Sequence, residues 1–180
     1  VSWIQSVFHG FGSSWIIPET GILLNNRLTG FSLDPNSPNV IAPGKRPAHT
    51  LNAFTAVNPD GTLHLVGGTP GANIQVQSNL QLITNIVDLK MNVQEATEAP
   101  RWQHLSLPGQ SSEEELGNGV LEIENRVPTS VIDELKAKGH DVRPLAAWGH
   151  GSSVQLMQVL PNGTFAFGSD PRCEGHASGI

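Results

Sequence analysis

The sequence has little cysteine, little charge and no surplus of basic residues, and each shortage excludes a class of protein. Its single cysteine, Cys173, cannot form a disulfide within the chain, so the fold must be held by packing. There are 10 Lys and Arg against 16 Asp and Glu, which gives a formal net charge of -6. Because phosphate binding needs clustered basic side chains and Lys45-Arg46 is a small pair, we expect no nucleic-acid partner.

Long apolar runs and cofactor motifs are also missing. No stretch approaches the roughly 20 apolar residues that cross a bilayer, because polar and charged side chains interrupt even residues 120–131, so we expect no membrane partner. The seven histidines form no i,i+4 pair and no cluster with the cysteine, which predicts no metal site. Neither a P-loop nor a dinucleotide-binding fingerprint is present, and we expect no cofactor.

What the sequence does contain is typical of one globular domain over residues 1–180. Hydrophobic residues make up 38% of the chain, while 19 Gly and 13 Pro indicate many turns. The chain starts at Val1 without Met or an apolar leader, and residues 1–8 alternate as in a strand buried on both faces. We therefore expect processing or further chain before Val1.

Two hairpins are the clearest local predictions. They span residues 52–66, around Asn58-Pro59-Asp60-Gly61, and residues 153–168, around Pro161-Asn162-Gly163. Both turns combine Pro, which presets φ, with Asn and Gly, which accept left-handed backbone. Each pair of flanking segments is therefore expected to be antiparallel.

Apolar residues at helical spacing predict a helix over residues 73–89 and a shorter one around Ile132 and Leu135. The order of the predicted hairpins and helices along the chain favours an α+β fold, with helices packed on antiparallel sheets, over a βαβ series. The remaining expectations are one or two helical turns over residues 93–98, a strand near 121–124, an ordered proline-rich loop over 32–47 and an exposed excursion over 105–118.

The run Gly67-Gly68-Thr69-Pro70-Gly71-Ala72 lies between a predicted strand and a predicted helix. Small residues let a ligand approach the backbone closely, and the amides that open a helix are unpaired within it. Such a helix start can stabilise an anion, including the oxyanion of an acyl-transfer intermediate. Taken alone, a glycine-rich loop of this kind is more often a tight turn that binds nothing.

Four other features have ordinary interpretations. The run Gly149-His150-Gly151-Ser152-Ser153 does not match the Gly-x-Ser-x-Gly spacing of a hydrolase elbow and is interpreted as a flexible connector. Cys173 has no histidine nearby in sequence, which indicates an incidental thiol rather than a nucleophile. Asn162-Gly163-Thr164 is both a glycosylation sequon and a good turn. Asp170-Pro171-Arg172 predicts a surface turn with a local ion pair.

Five short motifs occur in one order across nearly the whole chain, and each is weak alone. Together they resemble the γ-glutamyltranspeptidase family. The motifs are Gly21-Ile22-Leu23-Leu24-Asn25-Asn26-Arg27, Pro43-Gly44-Lys45-Arg46-Pro47, Gly68-Thr69-Pro70-Gly71-Ala72, Ala99-Pro100-Arg101 and Ser169-Asp170-Pro171-Arg172.

The resemblance implies an α+β fold, the four-layer αββα sandwich of N-terminal-nucleophile hydrolases. It also implies a precursor that cleaves itself into a large and a small subunit, with this chain as part of the small one. The partner would be the large subunit, and a dimer of such heterodimers is one assembly this allows. The new N-terminal threonine would attack a γ-glutamyl or related acyl amide, with its own α-amino group as base. It is expected roughly a dozen residues before Val1, so this chain alone should be inactive.

Family roles can be carried over to matching positions. Ser6 falls where a threonine often supports the nucleophile. Gly71 and Ala72 fall where a glycine pair supplies the oxyanion-hole amides, and Ala72 still has its amide. His49 and Thr50 match a serine pair that binds the substrate α-carboxylate, and Thr50 keeps a hydroxyl there.

Three positions depart from the family pattern. Phe8 replaces an asparagine that contacts the glutamyl group, Gly30 replaces the aspartate that holds the α-amino group, and Arg27 replaces a glutamine beside it. An arginine can bind a carboxylate in a bidentate pair but cannot attract an ammonium group. We therefore expect altered γ-glutamyl specificity, with a preference nearer to that of cephalosporin acylases.

Loss of these contacts also leaves open a catalytically silent family member that acts as a small-molecule binding protein. The compartment, bacterial cytoplasm, periplasm or outside the cell, depends on chain before Val1.

Overall fold

The computed structural model describes residues 1–105 and 119–178, and the chain divides into two compact units. One unit comprises Ile4–Leu51, and the other comprises Val1–Trp3 with Asn52–Ile180. The expected single domain stays a prediction. In the described ranges no helix is long and apolar enough to cross a membrane.

A four-stranded antiparallel sheet forms the centre of the larger unit, with strand order β1-β2-β6-β7. Both predicted hairpins are confirmed, because β1 pairs with β2 and β6 pairs with β7 around the turns named above. The strands are β1 (Ala53–Val57), β2 (Leu63–Gly68), β6 (Gln155–Val159) and β7 (Phe165–Ser169).

Two helices cover one face of this sheet and enclose the core. Helix α1 (Gln75–Val87) follows a short 3-10 turn (Ala72–Ile74), and α2 is Val93–Glu98, so both helical predictions are confirmed. Asn92 begins α2 because its side chain accepts hydrogen bonds from the amides of Gln94 and Glu95. The buried side chains between helices and sheet are Leu65, Leu82, Ile86, Val93, Ala96, Val154 and Leu156.

A second sheet of three strands has the order β3-β4-β5. Here β4 and β5 are parallel and are joined by a helix, so this sheet contains one βαβ unit where antiparallel pairing was expected. The sequence did not predict this crossover, because it needs only a dozen or so residues and its short strands are flanked by prolines and glycines. The elements are β3 (Trp102–Leu105), β4 (Val120–Glu124), α3 (Thr129–Ala137) and β5 (Val142–Leu145).

Two glutamines of α1 bind the outer edge of β3. Gln77 accepts a hydrogen bond from the amide of His104 at 2.7 Å and donates one to its carbonyl at 3.0 Å. Gln81 does the same with Trp102, at 3.2 Å and 2.9 Å. Amide side chains therefore pair with an edge strand where a further strand would otherwise be needed.

The smaller unit, Ile4–Leu51, contains turns, two isolated bridges and a 3-10 helix (Arg27–Gly30). The predicted irregular loop over residues 32–47 is confirmed, with one bridge between Ser32 and Val40. Most of the predicted excursion over 105–118 lies outside the described residues.

The strand predicted over residues 1–8 is wrong. These residues form no ladder, and Trp3 is 81% exposed. An alternating pattern favours an extended chain, but a strand also needs a neighbouring edge. Ser2 reaches β2 only through its hydroxyl, which donates to the carbonyl of Gly67 at 2.7 Å.

Candidate active site

The turn between β2 and α1 holds two consecutive residues with positive φ. Gly71 has φ +123° and Ala72 has φ +49°. Glycine is required at 71, because a Cβ there would lie 3.0 Å from both Ser152 Cβ and Ile74 Cγ1. Ala72 lacks the conformational freedom of glycine, and left-handed backbone at an alanine costs about 1 to 2 kcal/mol of free energy. Backbone strain of this kind is often found where function needs a particular geometry.

The strained turn contains two main-chain N–H groups at the start of a helix. Neither the Gly71 nor the Ala72 amide has a hydrogen-bond acceptor within residues 1–105 and 119–178. Gly71 is half-buried and Ala72 is exposed. The two groups lie at the start of a helix, where the helix dipole favours negative charge. The turn can therefore accept an anion without rearranging its backbone.

Ser152 fixes the turn through a hydrogen bond to the residue before Gly71. Its hydroxyl donates to the carbonyl of Pro70 at 2.6 Å, and the residue is 1% exposed. Its amide in turn donates to Nδ1 of His150 at 3.1 Å. The residue before Gly71 is thus fixed to the segment that enters β6.

A buried arginine fixes the segment around Ser152. Arg101 donates to the Ser152 carbonyl at 2.8 Å and lies 2.6 Å from Asp170. Burial lowers the pKa of Arg101, although the charge of Asp170 opposes this. Asp170 also accepts from the amide of Val154 at 2.9 Å.

Glu124, at the end of β4, is fully buried and accepts from two further arginines. Arg172 donates to both of its oxygens at 2.7 Å, and Arg126 donates at 2.6 Å. Burial acts to raise the pKa of Glu124, but these hydrogen bonds outweigh it and lower the pKa to about 2. Trp148 covers the group, with its ring centroid 3.5 Å from the guanidinium carbon of Arg126.

His150 is a neutral member of this group. Burial lowers its pKa, with the Arg101 and Arg172 cations adding to the effect. Because Nδ1 accepts the Ser152 amide, the proton is assigned to Nε2. That Nε2 is buried and has no partner among the described residues.

The sequence did not reveal this network. Asp170-Pro171-Arg172 was expected to be a surface turn with a local ion pair. The ion pair is present at 3.0 Å, but the surface location is wrong, since Asp170 is 1% exposed and the Arg172 side chain 2%. The flexible connector predicted around His150 is likewise buried at His150 and Ser152. The available signal was that Arg101, Asp170 and Arg172 all fall inside the family-like motifs.

In the smaller unit, Arg27, Thr50 and Phe8 lie together. The Arg27 guanidinium carbon is 4.9 Å from the centroid of the Phe8 ring, and Nη1 donates to Thr50 Oγ1 in a long contact of 3.5 Å. Phe8 has φ +79°, and Ser6 Oγ accepts from its amide at 2.9 Å. Ser6 therefore shapes the turn that presents Phe8.

The other predicted residues of this unit are placed differently. His49 is exposed, and no hydrogen bond joins it to another described residue. Gly30 is half-buried, and a Cβ on it would lie 2.9 Å from the Ala48 carbonyl oxygen. Gly71 and Ala72 belong to the larger unit, and their joint role with Ser6, Arg27, His49 and Thr50 stays a prediction. Within the described ranges, no group of three or more His, Cys, Asp or Glu could hold a metal ion.

The fold is that of the N-terminal-nucleophile hydrolases, and the predicted α+β class is confirmed by solved structures with the same fold. The family model described as gamma-glutamyltranspeptidase matches residues 1–180. The chain belongs to the γ-glutamyltranspeptidase family.

Three relatives illustrate this membership. The oxamate amidohydrolase proenzyme of Klebsiella pneumoniae is 39% identical over 183 residues, covering 99% of this chain and 33% of that protein. A γ-glutamyltranspeptidase from Pseudomonas nitroreducens, complexed with L-DON, has a TM-score of 0.81 at 28% identity, over 100% of this chain and 93% of that one. A cephalosporin acylase from Bacillus halodurans has a TM-score of 0.79 at 33% identity, over 96% and 32% of the two chains. The chain spans about a third of the length of the curated relatives it matches.

We predict that acid weakens the fold through Glu124. Its pKa in the folded protein lies below the ordinary 4.5, so its contribution is present above that pH and is lost as the pH falls towards about 2. At about 1.4 kcal/mol per pKa unit, the loss is roughly 3 kcal/mol. Thermal midpoints of the full-length protein should therefore fall between pH 4.5 and 2.

The variant Glu124→Gln should be less stable at neutral pH and lose much of this acid dependence. Glu134→Gln removes an exposed carboxylate paired with Lys138 at 2.7 Å and serves as its control. Equal acid slopes for Glu124→Gln and the unaltered protein would contradict the assignment.

Proposed function

We propose that this chain is the small-subunit portion of an autoprocessing amidohydrolase of the γ-glutamyltranspeptidase family. The observation that carries the proposal is the strained turn at Gly71 and Ala72, at the start of a helix, whose two amides have no acceptor in the described part of the chain. Two preorganised donors of this kind stabilise the oxyanion that forms when a nucleophile attacks an amide carbonyl. The activities named for the relatives, oxamate amidohydrolase and cephalosporin acylase among them, support amide hydrolysis.

The nucleophile is the threonine expected upstream of Val1. Its hydroxyl oxygen attacks the amide carbon, and its α-amino group accepts the hydroxyl proton. The C–N bond then breaks, the amine leaves with a proton, and an acyl ester remains on the threonine. Water hydrolyses the ester, or an amine acceptor takes the acyl group. This chain contributes the oxyanion donors and substrate contacts.

The partner in this proposal is the large subunit from the same precursor. It is supported by the word proenzyme in the relatives' names and by this chain's span of about a third of their length. A further pairing into a dimer of heterodimers is compatible with it.

Replacement of the upstream threonine by alanine in the full precursor should abolish both chain cleavage and amide hydrolysis. The reason is that one hydroxyl group performs both attacks. Gel electrophoresis follows the cleavage, and ammonia release from simple amides follows the turnover. Retained hydrolysis in the alanine variant would refute the assignment. Absence of hydrolysis in the processed, unaltered protein would instead support the binding-protein alternative.

Gly71→Ala should lower kcat by about 100-fold, because the added Cβ meets Ser152 and Ile74 and displaces a donor of the oxyanion hole. Gly163→Ala is the matched control, since Gly163 also has positive φ, at +83°, but no atom within 4 Å of an added Cβ. The measurement is the steady-state kcat of both processed variants. If both variants lose kcat equally, general destabilisation and not the turn is responsible.

Ser152→Ala should lower kcat by about tenfold with KM unchanged, since the lost hydrogen bond to Pro70 positions the donors but does not touch the substrate. Ser153→Ala removes a neighbouring half-buried hydroxyl and is the control. A rise in KM with kcat intact would show that Ser152 acts on substrate binding instead.

A further inference from the structure

We infer that His150 is a positioning residue for the proposed amide hydrolysis, and that its ring nitrogen Nδ1 acts through Ser152 to orient the amide of Gly71. This inference rests on the proposed function and adds to it the group that keeps an oxyanion donor aligned. All the residues involved belong to the larger unit.

The peptide group between Pro70 and Gly71 connects the support to the donor. Ser152 Oγ donates to the Pro70 carbonyl oxygen at 2.6 Å. A trans peptide group is planar, so the Pro70 carbonyl and the Gly71 N–H lie in one rigid plane and point in opposite directions. A hydrogen bond that fixes this carbonyl therefore also fixes the direction of the Gly71 N–H.

Ser152 depends on other side chains for its own position. Exposed glycines at 149 and 151 lie just before it, and glycine leaves the backbone the most conformational freedom. The Ser152 amide donates to His150 Nδ1 at 3.1 Å, and the Ser152 carbonyl accepts from Arg101 at 2.8 Å. Loss of the bond to His150 would leave this backbone held on one side, so that the hydroxyl group could move away from Pro70.

The His150 ring is fixed, and its contact with Ser152 explains why a polar ring is present. The His150 amide donates to Glu124 Oε1 at 3.2 Å, which anchors the residue at the buried ion network. The residue is 4% exposed, and Nε2 has no partner among the described residues. A side chain that only filled space here would avoid the cost of burying a polar nitrogen. The acceptor at Nδ1 is therefore the property that requires histidine.

Only the neutral ring can perform this role, because a protonated Nδ1 is a donor and cannot accept the Ser152 amide. Burial lowers the pKa of His150, and the cations Arg101 and Arg172 act in the same direction. The Ser152 carbonyl oxygen, 3.4 Å from Nδ1, and the carboxylate of Glu124 act in the opposite direction. Protonation would exchange the accepted hydrogen bond for one donated to this carbonyl and would release the Ser152 amide.

The kinetic test compares two substitutions that place an acceptor differently. The side-chain oxygen of Asn can lie close to the position of Nδ1, whereas that of Gln lies nearer to Nε2. In the processed two-subunit enzyme, His150→Gln should lower kcat for ammonia release from simple amides about tenfold with KM unchanged, and His150→Asn should stay within about threefold of the unaltered protein. His140→Gln changes an exposed histidine of the same unit and should alter neither constant.

A residue that only filled space would give the opposite order, since Gln is closer than Asn to His in size. That order, equal losses in both variants, an unchanged kcat in His150→Gln or a rise in KM with kcat intact would each overturn the inference. In the Ser152→Ala background, His150→Gln should cost little further kcat, because the bond through which it acts is already absent. Full additivity of the two losses would show that His150 does not act through Ser152.

A measurement that does not depend on activity uses the unaltered protein with isotopically labelled glycine. The Gly71 amide resonance should move with pH, with an inflection below the ordinary histidine pKa of 6.5, and this step should be absent from His150→Asn. A Gly71 resonance without the step, or a step that persists in His150→Asn, refutes the inference whether or not amides are hydrolysed. If the step is present but no amide is hydrolysed, the link from His150 to the turn stands and the proposed function fails separately.

Discussion

Glu124 is the group on which the larger unit depends. It ends a strand of the three-stranded sheet, while its partner Arg172 follows the last strand of the other sheet, so their ion pair joins the two sheets. Removal of one member of such a buried pair typically costs about 3 to 5 kcal/mol, because the other is left as an uncompensated charge. The network therefore holds the two sheets in one arrangement.

That arrangement has a chemical consequence at the turn before α1. Arg101 binds the carbonyl of Ser152, and Ser152 binds the carbonyl of Pro70, so two hydrogen bonds connect the ion network to Gly71. A left-handed alanine at 72 would relax if its neighbours allowed it. The buried network therefore fixes the residue that precedes Gly71.

Local chemistry explains why the hairpins and α1 were predictable, whereas the network was not. Asn58-Pro59-Asp60-Gly61 determines its turn within four residues, and apolar spacing determines α1 within four turns. By contrast, Arg101, Glu124 and Arg172 are far apart in sequence, and charged residues are ordinarily interpreted as exposed. The parallel pairing of β4 with β5 likewise depends on a crossover and not on either strand's own pattern. At the candidate active site, the motif Gly68-Thr69-Pro70-Gly71-Ala72 predicted the turn at Gly71. It did not predict that Ser152 holds this turn through Pro70.

Arg101 and Arg172 differ from Arg27 in their partners among the described residues. Arg101 and Arg172 are enclosed and face Asp170 or Glu124, so their charge is cancelled inside the protein. Arg27 is half-buried against an aromatic ring and a hydroxyl, and no carboxylate in the described part of the chain approaches it.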